Sequence, residues 1–166
     1  MEDKIEQPWL NRDNWGEGEW QNEPDTDQFL YRYHDCLVLR NDVGALCGYV
    51  RVPKNSRWTD FSTIQVHGNI TYSSLNEDGD RWIGFDCCGH ADFVPGIETE
   101  KNYFSDSLKA REEEMRRMIG DPLRIKKVYR NMDYVINQCM DVVDQLCSKK
   151  RVTSKMSKRR SVKKKG

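Results

Sequence analysis

Two apolar runs, Cys36 to Arg40 and Leu46 to Val52, stand on either side of the polar spacer Asn41-Asp42-Val43-Gly44. Both runs have strand length, and the spacer suits a type I turn with Gly44 in the left-handed position. The pattern predicts a hairpin. A four-residue loop sets Val38 opposite Cys47 and Leu37 opposite Gly48. One face then carries Leu37, Leu39, Leu46, Val50 and Val52, and the other Cys36, Val38, Arg40, Cys47, Tyr49 and Arg51. Pro53 has no N–H to give to a ladder and ends the second strand.

A second hairpin is expected from Thr63 to Ser74 and Arg81 to Cys88, with Asp78-Gly79 at the centre of a two-residue turn. That register sets Ser73 opposite Gly84, Thr71 opposite Asp86, Asn69 opposite Cys88 and His67 opposite His90. Opposed residues of an antiparallel pair share a side. Ile64, Val66, Ile70, Tyr72, Ile83, Phe85 and Cys87 then form an apolar face. His67, Asn69, Thr71, Trp82, Asp86, Cys88 and His90 form a polar one. A slip of one residue would mix the two sets.

The period changes in the C-terminal half. Ser107 to Ile119 reads as a helix stopped by Gly120. From Asn131 to Cys147, the residues Met132, Val135, Ile136, Cys139, Val142, Val143 and Leu146 recur at helical spacing. Asn131 suits the N-cap and Asp133 the first turn. The expected architecture is one α+β domain over residues 1–148: a mostly antiparallel sheet of about four strands, with the C-terminal amphipathic helix on one face. Residues 1–30 form an arm carrying Trp9, Trp15 and Trp20, whose glycines exclude regular structure around WGEGEW. The arm is expected to lie on the domain and cover a sheet edge; stacking on a ligand is the other reading.

Charge divides the chain. From Lys149 onward there are ten Lys/Arg and no Asp/Glu, so the rest carries 17 basic against 27 acidic residues. Residues 149–166 have little to bury and are expected to be a disordered basic tail. Contact between this tail and nucleic acid is the less favoured reading, because no aromatic residue interleaves with the cations to stack on bases. No apolar leader or membrane-length stretch occurs. The six cysteines are therefore expected as free thiols in a reducing, cytosolic setting.

The densest gathering of chemistry is WIGFDCCGHADFVPG, Trp82 to Gly96. With His67 it offers two imidazoles and the carboxylate of Asp86. That set could bind a divalent metal or act as a general acid/base pair. His67, Asp86 and His90 are the candidate catalytic residues, and Asn69, Thr71, Trp82, Cys88 and Asp92 the candidate ligand contacts. D-x-x-x-H-x-D is not a known metal signature, and the sequence names neither a metal nor a cofactor. Cys88 is the thiol to consider as a nucleophile. The alternative is a structural network in which these groups satisfy each other.

Five segments recur in one order: WGEGEWQNEPD, CLVLRND-x-GALCGYVRVP, VHGNITY, WIGFDCCGHADFVP and YRNMDYVINQCMDVVDQL. Together they resemble a group of short, uncharacterised phage and prophage proteins. The resemblance covers nearly the whole body and implies no particular activity. It implies a bacterial host cytoplasm as the setting. The expected function is binding, with hydrolysis open, of a polar or nucleotide-like small molecule on the polar sheet face. The alternatives are an interaction protein that inhibits a host factor, and a nucleic-acid-binding accessory working through the tail. Whether the protein is an enzyme, and its oligomeric state, are left open by the residues.

Overall fold

The computed structural model describes residues 10–56, 58–99, 106–119 and 126–162. Five antiparallel strands, β1 (Thr26–Tyr31), β2 (His34–Arg40), β3 (Leu46–Val52), β4 (Tyr72–Leu75) and β5 (Arg81–Asp86), form one sheet in the order β1-β2-β3-β5-β4. Among the described residues three α-helices follow: α1 (Pro95–Thr99), α2 (Asp106–Ile119) and α3 (Met132–Val162). The α+β class, the antiparallel sheet and the helix packed on it agree with the sequence reading. Among the described residues no helix is long and apolar enough to cross a membrane.

The strand count differs because β1 lies inside the segment read as an arm. Thr26–Tyr31 has no fully buried residue, only half-buried and exposed ones, and it pairs with β2 from Thr26↔Leu39 to Tyr31↔His34. The link between them is Arg32-Tyr33, two non-glycine residues at φ 45° and 66°. That conformation gives the tight hairpin turn whose twist matches the strands.

Both expected registers are off by one. In the first hairpin Arg40 pairs with Leu46 and Val38 with Gly48, not with Cys47. The turn holds five residues: Asn41 N–H donates to the carbonyl of Ala45 (2.8 Å), and the Asn41 side chain takes the Ala45 N–H (2.9 Å). Gly44 is left-handed as expected, at φ 94°. The buried face is therefore Cys36, Val38, Arg40, Leu46, Val50 and Val52. Leu37, Leu39 and Tyr49 lie on the other side. In the second hairpin Tyr72 pairs with Gly84, and Ser73 with Ile83. The turn again spans five residues, Asn76 to Asp80, with Gly79 at φ 78°.

Helix α3 supplies the second layer. Asn131 caps it, its side-chain oxygen taking the Tyr134 N–H (3.0 Å). Met132, Val135, Cys139, Val142 and Val143 are buried against Val38, Val50, Ile83 and Phe85 in one core. Gly48 makes this close approach possible: a Cβ there would fall 2.4 Å from the Phe85 ring and 2.8 Å from Cys139 Sγ. The backbone of α3 continues to Val162, through most of the segment expected to be disordered. No proline or glycine interrupts residues 149–162, so helical hydrogen bonding can run on. Residues 163–166 and Trp9 lie outside the described residues.

The arm does lie down. Trp15 and Trp20 are buried, with Trp20 stacked on Phe93 (5.2 Å) and edge-on to Tyr129 (5.0 Å). Their rings fill the space between the arm and the loop after β5, which leaves no stacking face for a ligand. Behind them, Arg40 is wholly enclosed. It bonds Asp25 (3.0 Å), the Gly44 carbonyl (3.0 Å) and the Tyr129 hydroxyl (2.8 Å). Glu23 accepts from the Tyr129 hydroxyl and from the Met132 N–H at the start of α3, both at 2.6 Å. A carboxylate there also meets the positive end of the helix.

Candidate functional site

The expected polar face does not form as a unit. Residues 64–70 are not a strand. Gly68 and Asn69 both adopt positive φ, 65° and 64°, which turns the chain away from β5. The backbone here bonds to side chains of α3 instead. Gln145 takes the Gln65 N–H (2.8 Å) and Gln138 takes the His67 N–H (2.9 Å). His67 is therefore not opposite His90. It is drawn to the helix side, while His90 stays exposed in the loop and Asn69 is exposed at the turn.

What His67 meets is Asp92. Its Nε2 lies 2.8 Å from Asp92 Oδ2, and its Nδ1 lies 2.8 Å from the Tyr134 hydroxyl. An ionised carboxylate can only accept, so Nε2–H donates, and in the neutral ring the Tyr134 O–H donates to bare Nδ1. Asp92 Oδ2 also takes the Gly89 N–H (2.8 Å), and Oδ1 takes Arg130 Nε–H (3.0 Å). The Arg130 guanidinium sits 5.0 Å above the Tyr134 ring. Tyr134, His67, Asp92 and Arg130 thus form one connected cluster at the N-terminal end of α3.

Each member is placed by local structure. The loop after β5 begins with Asp86, whose side chain takes the Cys88 N–H (3.0 Å), and it is closed by Asp92 N–H donating to the Gly89 carbonyl (3.0 Å). Gly89 leaves room there: a Cβ would lie 3.1 Å from Asp92 Oδ2 and press on the carboxylate. A parallel bridge, Asp92↔Val128, brings the chain before α3 alongside, and Arg130 follows two residues later. Tyr134 comes from the first turn of the helix.

Asp92 has the strongest electrostatic signature. Its side chain is only 1% exposed. Burial works against its charge, but the bonds from His67, Arg130 and Gly89 outweigh it and hold the carboxyl below its ordinary value. Desolvation raises the Tyr134 hydroxyl, which keeps it protonated. Among the described residues no buried side-chain polar atom lacks a partner.

The remaining candidates lie elsewhere. Thr71 and Asp86 do meet, at 3.3 Å. Trp82 lies on the same outer side of the sheet, paired with Ser74 and Arg51. Cys88 accepts from the Asn41 amide (3.3 Å), and desolvation raises its thiol, contrary to what a nucleophile needs. Burial pushes Cys36 and Cys47 up to about 12 as well. Among the described residues no three His, Cys, Asp or Glu side chains gather in a way that could hold a metal ion.

Arg130 and Tyr134 were missed as site residues. The signal was weak: Arg130 stands just before the N-cap Asn131 and Tyr134 in the first turn, so no helical spacing relates them. The chain was compared with family models, curated proteins and solved structures, and none matches.

Proposed function

We propose that the protein binds a small polar ligand bearing a carboxylate or phosphate, such as a nucleotide, at the rim formed by Arg130, Tyr134 and His67. One observation carries this reading. Arg130 spends only Nε on Asp92, and among the described residues its two terminal nitrogens bond to nothing. The side chain is 23% exposed, and Asp92 at Nε and the Tyr134 ring hold the fork in place. A planar fork with donors to spare matches a carboxylate or phosphate edge. Asp92 fixes both Arg130 and His67 from below, and the Tyr134 ring supports the guanidinium. The ligand class is the one expected from the sequence, but the site moves from the sheet face to the end of α3. It accords with an accessory protein of phage type working in the host cytoplasm.

Calorimetric titration with adenosine 5′-monophosphate, inorganic phosphate and adenosine tests this. The two anions should bind saturably and adenosine should not. Arg130→Gln should weaken the anions by at least about tenfold. Equal binding of adenosine and its monophosphate, or an unaffected Arg130→Gln protein, refutes the reading.

A second reading, an interaction protein, has its own support. Tyr33 is 91% exposed at the tip of the β1–β2 hairpin and Leu30 is 65% exposed beside it. Exposed apolar groups on a protruding turn suit a host-protein contact. Tyr33→Ser with Leu30→Ser should then abolish capture of a host protein without changing anion binding.

A further inference from the structure

At the far end of the sheet, away from the Arg130 rim, a cleft of about 170 Å³ opens between the end of β3 and the β4–β5 turn. Its apolar walls come from Val52, Leu75, Trp58 and Phe61, and its polar lining includes Lys54 and Arg81. The Trp58 and Phe61 rings are parallel within 7°, with centroids 6.5 Å apart. Trp58 is anchored from behind, its Nε1–H donating to the Leu146 carbonyl of α3 (3.2 Å). The aromatic wall is therefore held by the core.

The two cations are the unusual part. The body is rich in Asp and Glu, yet among the described residues neither Lys54 nor Arg81 has a carboxylate partner. Arg81 gives one bond to the Ser73 hydroxyl (2.7 Å) and keeps its other donors. Lys54 lies across Gly79, close enough that a Cβ there would be 3.6 Å from its Cε. Asp80, at the end of that turn, is already paired with Arg51 (3.2 Å). Two unspent positive charges thus flank an apolar slot.

Size limits the occupant. A cavity of about 150 Å³ accommodates one benzene ring, whereas drug-sized ligands need roughly 300 Å³ or more. We infer that this cleft binds a monocyclic aromatic acid, with its ring against Trp58 and Phe61 and its carboxylate between Lys54 and Arg81. Ring stacking supplies the apolar contact, and the two cations select for the negative charge. This site shares no residue with the Arg130 rim and stands or falls separately.

The test follows the Trp58 indole N–H resonance in the full chain, assigned with Trp58→Phe. Benzoate should shift it saturably with Kd on the order of 1 mM, and the neutral isostere benzamide should bind at least about tenfold more weakly. Lys54→Gln with Arg81→Gln should erase the difference between the two. Leu75→Trp, at an exposed position, should fill the slot and abolish the shift while leaving melting unchanged. Benzamide binding as well as benzoate, or no saturable shift, overturns the inference. So does binding of a blocked peptide ending in a Phe carboxylate when benzoate does not bind, because the occupant would then be a chain terminus.

Discussion

Replacing Asp92 by Asn removes one charge and one acceptor from a side chain that three donors converge on. The best compensation keeps the amide oxygen on His67 and Gly89 and turns the NH2 toward Arg130, where it meets another N–H. One charge-assisted bond is lost outright, at about 1.5 to 3 kcal/mol. The two that survive fall from charged to neutral strength, roughly half. Arg130 can relieve part of the clash by swinging into solvent. The sum is a loss of about 3 kcal/mol, and for a chain of this length that lowers Tm by about 6 to 12 °C. The pH dependence sharpens the test. Asp92 has a folded value below its unfolded one of about 3.9. Its contribution is therefore complete above the unfolded value and is lost as pH falls through the folded one. The variant lacks that titration, so the gap between the two proteins should be full near pH 7 and shrink as acid is added. Urea denaturation of both proteins from about pH 7 to pH 3 measures it. A gap under about 1 kcal/mol at pH 7, or one that does not narrow in acid, refutes the account of Asp92 as the charged centre of the cluster.

Three further outcomes are expected. Tyr33→Gly should stabilise the fold by about 1 kcal/mol, because glycine adopts the left-handed turn without strain; a lower urea midpoint would contradict this. Gly48→Ala should cost about 1 to 3 kcal/mol, since the added Cβ collides with the Phe85 ring and Cys139, and calorimetry would detect it. Arg40→Lys should lower stability by about 3 kcal/mol, because a single ammonium cannot reach Asp25, the Gly44 carbonyl and Tyr129 at once. An Arg40→Lys protein that melts like the parent would show that the enclosed arginine is replaceable.

The first half of α3, Met132 to Leu146, was legible because its apolar stripe faces one partner; its extension to Val162 carries no such stripe and was not. The first hairpin was legible in place but not in register. Ala45 reads as the start of a strand, yet Asn41 binds it twice and keeps it in the turn, which moves every pairing by one. An arginine on the buried face hid the true alternation, since Arg40 looks like a solvent residue until its partners Asp25 and Tyr129 are known. The second hairpin failed for a related reason: Asp78-Gly79 can centre a two-residue turn, but Asn76 closes a longer one. The site was half legible. His67 and Asp92 were both singled out, but their pairing depends on residues 64–70 leaving the sheet for Gln138 and Gln145. That exchange of strand bonds for helix side chains is a tertiary choice that no local pattern encodes.

The Glu23 carboxylate has a consequence for how the chain is made. Two of its partners, Tyr129 and Met132, lie 106 and 109 residues further on, whereas Arg40 (3.7 Å) is near in sequence. During synthesis the arm can reach Arg40 and Phe93 first, but these two bonds of Glu23 wait until the start of α3 emerges. Contacts of such separation form late and slow the search for the native state. Until then Trp20 lacks its Tyr129 edge, and the nascent protein passes through an interval in which chaperones and proteases can reach the arm.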